Sequence, residues 1–264
     1  MNPAWKRHWP EYLMEAAELG LFMISACFFV VLLEHPSSPV RQAIPSAFLR
    51  RVLMGLAMGT TAISIIFSPL GRRSGAHFNP AVTMTFWRLK KVSGADALAY
   101  VLFQFAGGAA GIAVAALILR ALVSHPAVHF AATLPGTAGA AAAFAAEVAI
   151  SFILMSVVLA AMASTRLARF TGIFAGCLVS IFITFEAPIS GMSMNPARTF
   201  ASATGTLVFD SIWIYFLAPP LGMLAAVEAR ARLAGLQGIH CAKLYHANAH
   251  RCIFRCGYAA GARG

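Results

Sequence analysis

Charged residues are scarce in this 264-residue chain: Asp, Glu, Lys and Arg make up 11% of it, and 59% is hydrophobic. A soluble protein devotes about 25% of its residues to charge, so the shortage excludes a globular domain with a fully wetted surface. Acidic residues are the scarcest, nine against 20 basic ones, which leaves a formal net charge of +11. Five cysteines, two of them inside apolar runs, do not indicate a disulfide framework.

Long apolar runs take the place of the missing charge. A bilayer core about 30 Å thick needs about 20 helical residues to cross it. The sequence predicts six spans of this kind, at about 12–33, 52–70, 96–120, 139–163, 171–187 and 209–229. The first run follows a basic segment but is too long for the apolar core of a signal peptide. The predicted fold class is therefore an all-α, multi-pass integral membrane protein.

The basic residues are concentrated on one side of this arrangement. The N-terminal segment, 72–91, 166–169 and 230–264 contain 15 of the 20 Lys and Arg residues. These segments are the two tails and the connections after even-numbered spans. The positive-inside rule predicts that both termini are cytoplasmic, and we expect the inner (plasma) membrane. Because topology explains the charge, we expect contact with membrane lipid and no nucleic-acid partner.

The chain contains an internal repeat. The stretch SGAHFNPAVT at 74–83 returns as SGMSMNPART at 190–199, an offset of 116 residues. Glu15 opens a related pattern in the first span, and Glu147 opens one in the fourth. Three spans and one Asn-Pro-Ala segment thus occur twice, in halves of about 10–120 and 139–232. Because three is odd, the second half is inverted, and a central site is expected near the bilayer midplane.

Each Asn-Pro-Ala triplet predicts the start of a helix, since Asn is a favoured N-cap and Pro a favoured first helical residue. The helical segment after each triplet has only about 10 residues, half the length of a span, which predicts two re-entrant half-helices. Their N-termini, meeting head to head, would repel cations and donate hydrogen bonds to a neutral molecule. The triplets are Asn79, Pro80 and Ala81, and Asn195, Pro196 and Ala197.

With these features the chain resembles the aquaporins of the major intrinsic protein family over about residues 10–230. The resemblance implies six tilted helices and two half-helices in an inverted repeat, within a channel domain at 1–232. It also implies a homotetramer with one pore per subunit. The implied function is a passive channel for water and/or small uncharged solutes such as glycerol or urea, excluding ions and protons. No cofactor is expected in the channel domain.

The resemblance assigns roles to particular residues. Arg198 matches the arginine of the outer constriction, His77 a histidine at the cytoplasmic pore mouth, and Glu15 and Glu147 buried glutamates that brace loops. The remaining residues of the expected selectivity filter are Ile183, Met192 and either Gly59 or Met58 from span two. Water-selective members carry His at the position of Ile183, so this filter is more apolar and favours solutes that contain carbon or have few hydrogen-bond donors.

Two other residues favour water. Thr199 stands where glycerol facilitators typically carry Asp, and Tyr215 belongs to an aromatic pair that resembles the one in water channels. The preferred solute therefore stays open.

The last segment, 233–264, is expected to be a basic cytoplasmic tail. Zinc favours mixed Cys and His ligands, and residues spaced i, i+4 would share a helix face. We therefore consider a metal or redox-sensing site with zinc as the candidate ion, a basic segment on anionic lipid, and a disordered extension. The candidate ligands are Cys241, His246, His250, Cys252 and Cys256.

Three other functions fit the sequence less well. A secondary transporter also uses inverted repeats and broken helices, but Glu15, Glu18 and Glu147 lie toward helix ends rather than at the midplane. A non-conducting structural protein would not need intact triplets and Arg198. An enzyme is disfavoured because no nucleophile or phosphate-binding loop accompanies the glutamates.

Overall fold

The computed structural model describes residues 3–246 and 250–258, and within them all regular elements are helical. Six helices are long and apolar enough to cross a membrane, which confirms the six predicted spans. The six spans and the two helices that begin at the Asn-Pro-Ala triplets are numbered in chain order: α1 Pro3–Glu34, α2 Ala47–Phe67, α3 Pro80–Arg88, α4 Gly94–Leu119, α5 Gly139–Met162, α6 Thr171–Phe185, α7 Pro196–Thr206 and α8 Ile212–Leu233. Helices α3 and α7 are the two half-helices, and shorter helical turns lie in the connections.

Helix α1 begins at Pro3, well before the predicted start of the first span. Its first turns are held against the beginning of α4, because Trp5 Nε1 donates a hydrogen bond to the Ala95 carbonyl at 3.0 Å. The His8 ring and the Tyr12 hydroxyl both contact the Asp96 carboxylate, at 2.7 and 2.6 Å. Tertiary contacts therefore extend the helix beyond its apolar run.

The packing of the long helices follows the repeat. In the first half α1 packs along α4, and in the second half α5 packs along α8. Helix α2 of the first half packs along α6 of the second, so the two halves are joined through equivalent helices. The half-helix α3 also contacts α8, and α7 contacts α4. Each half-helix is thus enclosed by helices of the opposite half as well as its own.

After α8 the chain folds back across the end of the bundle that carries the N-terminus. Arg251 Nη2 donates to the Arg7 carbonyl at 3.1 Å, and the Arg255 amide donates to the Lys91 carbonyl at 2.9 Å. The described part of this tail contains no helix beyond α8. The expectation that its i, i+4 pairs share a helix face is therefore wrong.

Candidate functional site

The loops before the two half-helices have matching backbones. Each has a left-handed glycine followed by further residues with positive φ, at positions related by the same 116-residue offset as the sequence repeat. This conformation, which side chains other than glycine rarely adopt, turns the backbone N–H groups of each loop inward. The matched φ values are 106° and 82° for Gly75 and Gly191, 56° and 51° for Ala76 and Met192, and 29° and 52° for Phe78 and Met194.

The first loop is held by the buried carboxylate of Glu15. Its two oxygens accept hydrogen bonds from the amides of His77 and Phe78, at 2.9 and 2.7 Å. Gln104 Nε2 donates to the same carboxylate at 2.7 Å. The structure thus places Glu15 where the sequence predicted a brace, and shows which amides it holds.

Glu147 holds the second loop in the same way. Its oxygens accept from the amides of Ser193 and Met194, at 2.6 and 2.7 Å. The Ser190 hydroxyl donates to it at 2.8 Å. Hydrogen bonds to an ionised group are stronger than neutral ones, so a single carboxylate can fix an irregular loop inside the bundle.

Asn79 and Asn195 cap the half-helices and tie them together. Each side-chain oxygen accepts the amide hydrogen of the alanine two residues later, at 2.9 and 3.1 Å. Asn79 Nδ2 donates to the Met194 carbonyl at 2.7 Å, and Asn195 Nδ2 donates to the Phe78 carbonyl at 2.8 Å. Because each amide nitrogen carries two hydrogens, one on each side chain remains for a molecule in the pore.

A cavity of about 300 Å³ runs past both asparagines. We call the end lined by Glu34 and Arg51 the outer mouth, and the end lined by His77 and Leu244 the inner mouth. Glu34 and the N-terminus lie at opposite ends of α1, so the cavity extends along the direction in which the long helices cross. The geometry is that of a pore through the centre of the bundle.

Four of the five expected filter residues line this cavity: Met58, Ile183, Met192 and Arg198. Gly59 does not. A Cβ atom at Gly59 would lie 2.0 Å from Ser180 Oγ, which places this glycine at the contact between α2 and α6. The choice between the two span-two candidates therefore falls on Met58, because the close helix packing turns Gly59 away from the pore.

Arg198 reaches the cavity without an acidic partner. Its backbone amide donates to Asn195 Oδ1 at 3.2 Å, and its Nη1 atom has no hydrogen-bond partner. Among the described residues, no ion pair joins Arg198 to Glu186 or to another carboxylate. The guanidinium charge is therefore directed at the contents of the pore.

His77 lines the inner mouth but is covered by the tail. Its Nε2 lies 2.9 Å from the Ala242 carbonyl, which can only accept, so this nitrogen carries the hydrogen. The ring stacks between Phe86 and Phe254, with centroid distances of 5.1 and 5.5 Å. With 1% of its surface exposed, His77 is part of a contact that the sequence did not predict.

The tail brings four of its five candidate ligands together. The donor atoms of Cys241, His246, Cys252 and Cys256 all lie within 4.8 Å of one another. His250 is exposed and is not part of this cluster. Two of these contacts are short: Cys241 Sγ lies 3.5 Å from Cys252 Sγ, and Cys256 Sγ lies 3.1 Å from His246 Nε2.

Sequence reasoning missed the residues that hold the loops from behind. The Tyr100 hydroxyl donates to the Ser74 carbonyl at 2.6 Å, and the Tyr215 hydroxyl donates to the Ser190 carbonyl. Both serines belong to the repeated stretch, and the tyrosines are 115 residues apart, almost the same offset. This similar spacing could have indicated that the two tyrosines have equivalent roles, but the sequence pattern places Tyr215 only in an aromatic pair.

Comparison with known proteins agrees with this geometry. Residues 7–228 match the model of a family described as major intrinsic protein, and the tail lies outside that match. A putative aquaporin NIP4-1 of Arabidopsis thaliana is 36% identical over 168 residues, covering 63% of this chain and 57% of the relative. Aquaporin NIP3-1 of Zea mays is 37% identical over 185 residues, covering 69% and 58%. The chain therefore spans less than two thirds of these relatives.

A solved structure has the same fold. The X-ray structure of the aquaglyceroporin from Plasmodium falciparum superposes with a TM-score of 0.67, covering 86% of this chain and 96% of that chain. Sequence identity is 17%, so the likeness concerns the fold alone. It agrees with the expected architecture of six spans and two half-helices.

Proposed function

Since the chain belongs to the major intrinsic protein family and is a multi-pass membrane protein, we propose that it is a passive channel for water and small uncharged solutes. One observation carries the proposal: a single cavity passes the side chains of Asn79 and Asn195, each at the N-terminus of a half-helix. The two helix starts face the pore from inverted halves of the chain.

This arrangement favours neutral molecules over ions. Each helix N-terminus contributes roughly half a positive elementary charge, and Arg198 adds a full charge at the filter. Cations are repelled at both places. The asparagine amides donate hydrogen bonds to a passing oxygen atom but cannot replace the hydration shell of an ion, whose loss costs far more than the loss of one hydrogen bond.

The filter supports passage of solutes larger than water. Met58, Ile183 and Met192 present apolar surface to the cavity, and Arg198 is the strongly polar member. Carbon-containing solutes such as glycerol or urea could place their apolar side against the methionines while Arg198 binds an oxygen. Methionine side chains are flexible, so the opening can adapt to the solute.

The same proposal includes orientation and assembly. We infer that both termini are cytoplasmic and that the chain resides in the inner (plasma) membrane, as a homotetramer with one pore per subunit. Contacts among the basic segments support the orientation: Lys243 Nζ donates to the Arg72 carbonyl, and Arg251 contacts Arg7. Basic segments that lie together on one face fit the positive-inside rule.

The test is stopped-flow light scattering on proteoliposomes, with gradients of an impermeant sugar, glycerol and urea, all measured on metal-free protein. We expect faster shrinkage than in empty vesicles, re-swelling with glycerol and urea, and no proton flux or ionic current. Permeability equal to that of empty vesicles would contradict the proposal, and proton-coupled uptake would favour a transporter.

A matched pair of variants locates the path. Ile183 lines the cavity, whereas Ile181 lies on the outer face of the same helix with 49% of its surface exposed. Ile183→Trp should abolish most of the flux because the larger ring fills the filter, and Ile181→Trp should leave it unchanged. Equal flux in both variants would place the path elsewhere.

A further inference from the structure

The tail lies across the inner mouth of the pore. Leu244 lines the cavity beside His77 and is 6% exposed. Its amide donates to the Gly75 carbonyl at 3.1 Å, so it is fixed against the loop that leads into α3. Phe254 stacks on His77 with an angle of 8° between the rings. We call residues 239–246 and 250–258 the plug.

A buried lysine fastens the plug to the bundle. Lys243 is 2% exposed, and its Nζ donates to the carbonyls of Arg72 and Arg251 at 2.8 and 2.9 Å. Two carbonyls do not neutralise an ammonium, and a buried charge needs an opposite charge nearby. The tail cysteines are candidates, because Cys241 lies two residues before Lys243 and Cys252 directly follows Arg251, whose carbonyl Lys243 contacts.

The four clustered donors fit a tetrahedral zinc site. Two sulfur atoms at the usual Zn–S distance of about 2.3 Å stand roughly 3.8 Å apart across a tetrahedron. The Sγ atoms of Cys241 and Cys252 are 3.5 Å apart, and Cys256 Sγ lies 3.1 Å from His246 Nε2. A side-chain shift of a few tenths of an ångström would open these distances around an ion.

The charge of the loaded site is balanced within the tail. Zn²⁺ with three thiolates and a neutral imidazole carries one net negative charge, which the Lys243 ammonium balances.

The plug has no regular secondary structure of its own, since its described residues contain no helix or strand. It is ordered by its contacts with the bundle, and a metal held between its two stretches of irregular chain would tie them to each other. Leu244 and Phe254, which meet the pore mouth, lie three residues after Cys241 and two residues after Cys252 in the sequence. Loss of the ion would therefore release the two residues that close the pore.

We propose that Zn²⁺ bound by Cys241, His246, Cys252 and Cys256 holds the plug in the inner mouth, so that zinc loading closes the pore and zinc removal opens it. The ion is a structural ligand and undergoes no reaction. The gating half of this proposal rests on the proposed channel function, whereas the zinc-held plug does not.

Metal content tests the site directly. The full chain purified with zinc should hold one Zn²⁺ per chain, and Co²⁺ in its place should give the absorption bands of a tetrahedral thiolate complex. Cys252→Ser and His246→Ala should each abolish binding. The matched controls Cys177→Ser, outside the tail, and His250→Ala, inside it, should retain the ion. Equal zinc content in all forms, or a disulfide between Cys241 and Cys252 in place of metal, would overturn the proposal.

Limited trypsin digestion tests the plug without relying on flux. Lys243 is buried in the plug, so cleavage after it should be slow in the zinc-loaded chain and rapid after chelation or in Cys252→Ser. Mass spectrometry of early fragments gives the two rates. Equal early cleavage after Lys243 in the loaded and metal-free forms would show that the ion does not hold the plug.

Water flux in proteoliposomes tests the gate. If the plug occupies the mouth in at least about 90% of zinc-loaded molecules, chelation should raise permeability about tenfold or more. His250→Ala should respond as the wild type does, and Cys252→Ser should be open with or without zinc. High permeability that zinc does not change would overturn the claim that the plug closes the pore, but not the claim that zinc holds the plug. If every form is impermeable, the proposed channel function is wrong. The measurements of metal content and proteolysis then still test whether zinc holds the plug.

Discussion

Substitution of Glu147 by Gln tests how the filter is held. The change keeps shape but replaces one carboxylate oxygen with an NH₂ group. In the native protein one oxygen accepts from the Ser190 hydroxyl and the Ser193 amide, and the other accepts from the Met194 amide. In Glu147→Gln the carbonyl can retain the first two bonds as neutral ones. The third becomes a contact between two donors.

The cost can be worked out from these three bonds. Two charge-assisted bonds that become neutral lose about 1 kcal/mol each, and a buried amide left unpaired costs about 1–3 kcal/mol. Removing a buried negative charge offsets part of this loss. A net destabilisation of about 3 kcal/mol corresponds to about a hundredfold change in the equilibrium that holds the loop. For a chain of this size it should lower the unfolding midpoint by about 6–12 °C.

The assay combines thermal unfolding in detergent with the flux measurements. The loop that Glu147 holds leads into Asn195 and Arg198, so the ratio of glycerol to water permeability should rise as the filter loosens. Glu186→Gln is the matched control, because Glu186 is a buried carboxylate nearby that accepts no loop amide from Ser193 or Met194. An unchanged midpoint in Glu147→Gln, or an equal loss in both variants, would refute the reasoning.

Two further substitutions distinguish a residue that lines the filter from one that packs two helices together. Ile183→His adds a hydrogen-bonding side chain to the apolar filter, so it should raise the selectivity for water over glycerol, and unchanged ratios in proteoliposomes would remove Ile183 from the filter. Gly59→Ala should lower thermal stability by about 1–3 kcal/mol through overpacking without changing solute ratios, because its Cβ meets Ser180 rather than the pore. Gly94→Ala, where the nearest atom to a Cβ is 3.6 Å away, should be nearly neutral, and an equal loss there would contradict the packing argument.

The spans, the repeat and the half-helices could be predicted because each depends on local sequence. Apolar length fixes a span, and Asn followed by Pro fixes a helix start, which the structure places at Asn79 and Asn195. The choice between Met58 and Gly59 could not be predicted. It depends on how closely α2 approaches α6, and that distance is set by tertiary packing between residues far apart in the chain.

The covered inner mouth was also beyond prediction from local patterns. The resemblance places His77 at the cytoplasmic pore mouth, but it does not indicate that the ring contacts Ala242 and Phe254, more than 160 residues later. The tail cysteines signalled a metal site by composition. Their i, i+4 spacing, however, predicted a helix that does not form. Irregular backbone brings Cys241 beside Cys252 instead.

Comparison of the two halves distinguishes residues that support the centre of the pore from residues that make its two ends different. Positions that agree between the halves, such as Glu15 with Glu147 and Asn79 with Asn195, form the scaffold at the centre. Two positions that differ between the halves lie toward its two ends. Arg198 lines the cavity where the first half has Val82, also on the cavity wall, so the charge of the filter is present in one half only.

The other end differs in a matching way. His77 corresponds to Ser193 at the 116-residue offset, and each contacts the threonine six residues later: Ser193 Oγ lies 2.6 Å from Thr199 Oγ1, and His77 Nδ1 lies 3.1 Å from Thr83 Oγ1. His77 makes a further contact, from its other ring nitrogen to the carbonyl of Ala242 in the tail at 2.9 Å. A serine could not span that gap or stack on Phe254. The inverted duplication therefore leaves the outer mouth to the filter and the inner mouth to the plug, and His77→Ser should weaken closure while leaving the filter intact.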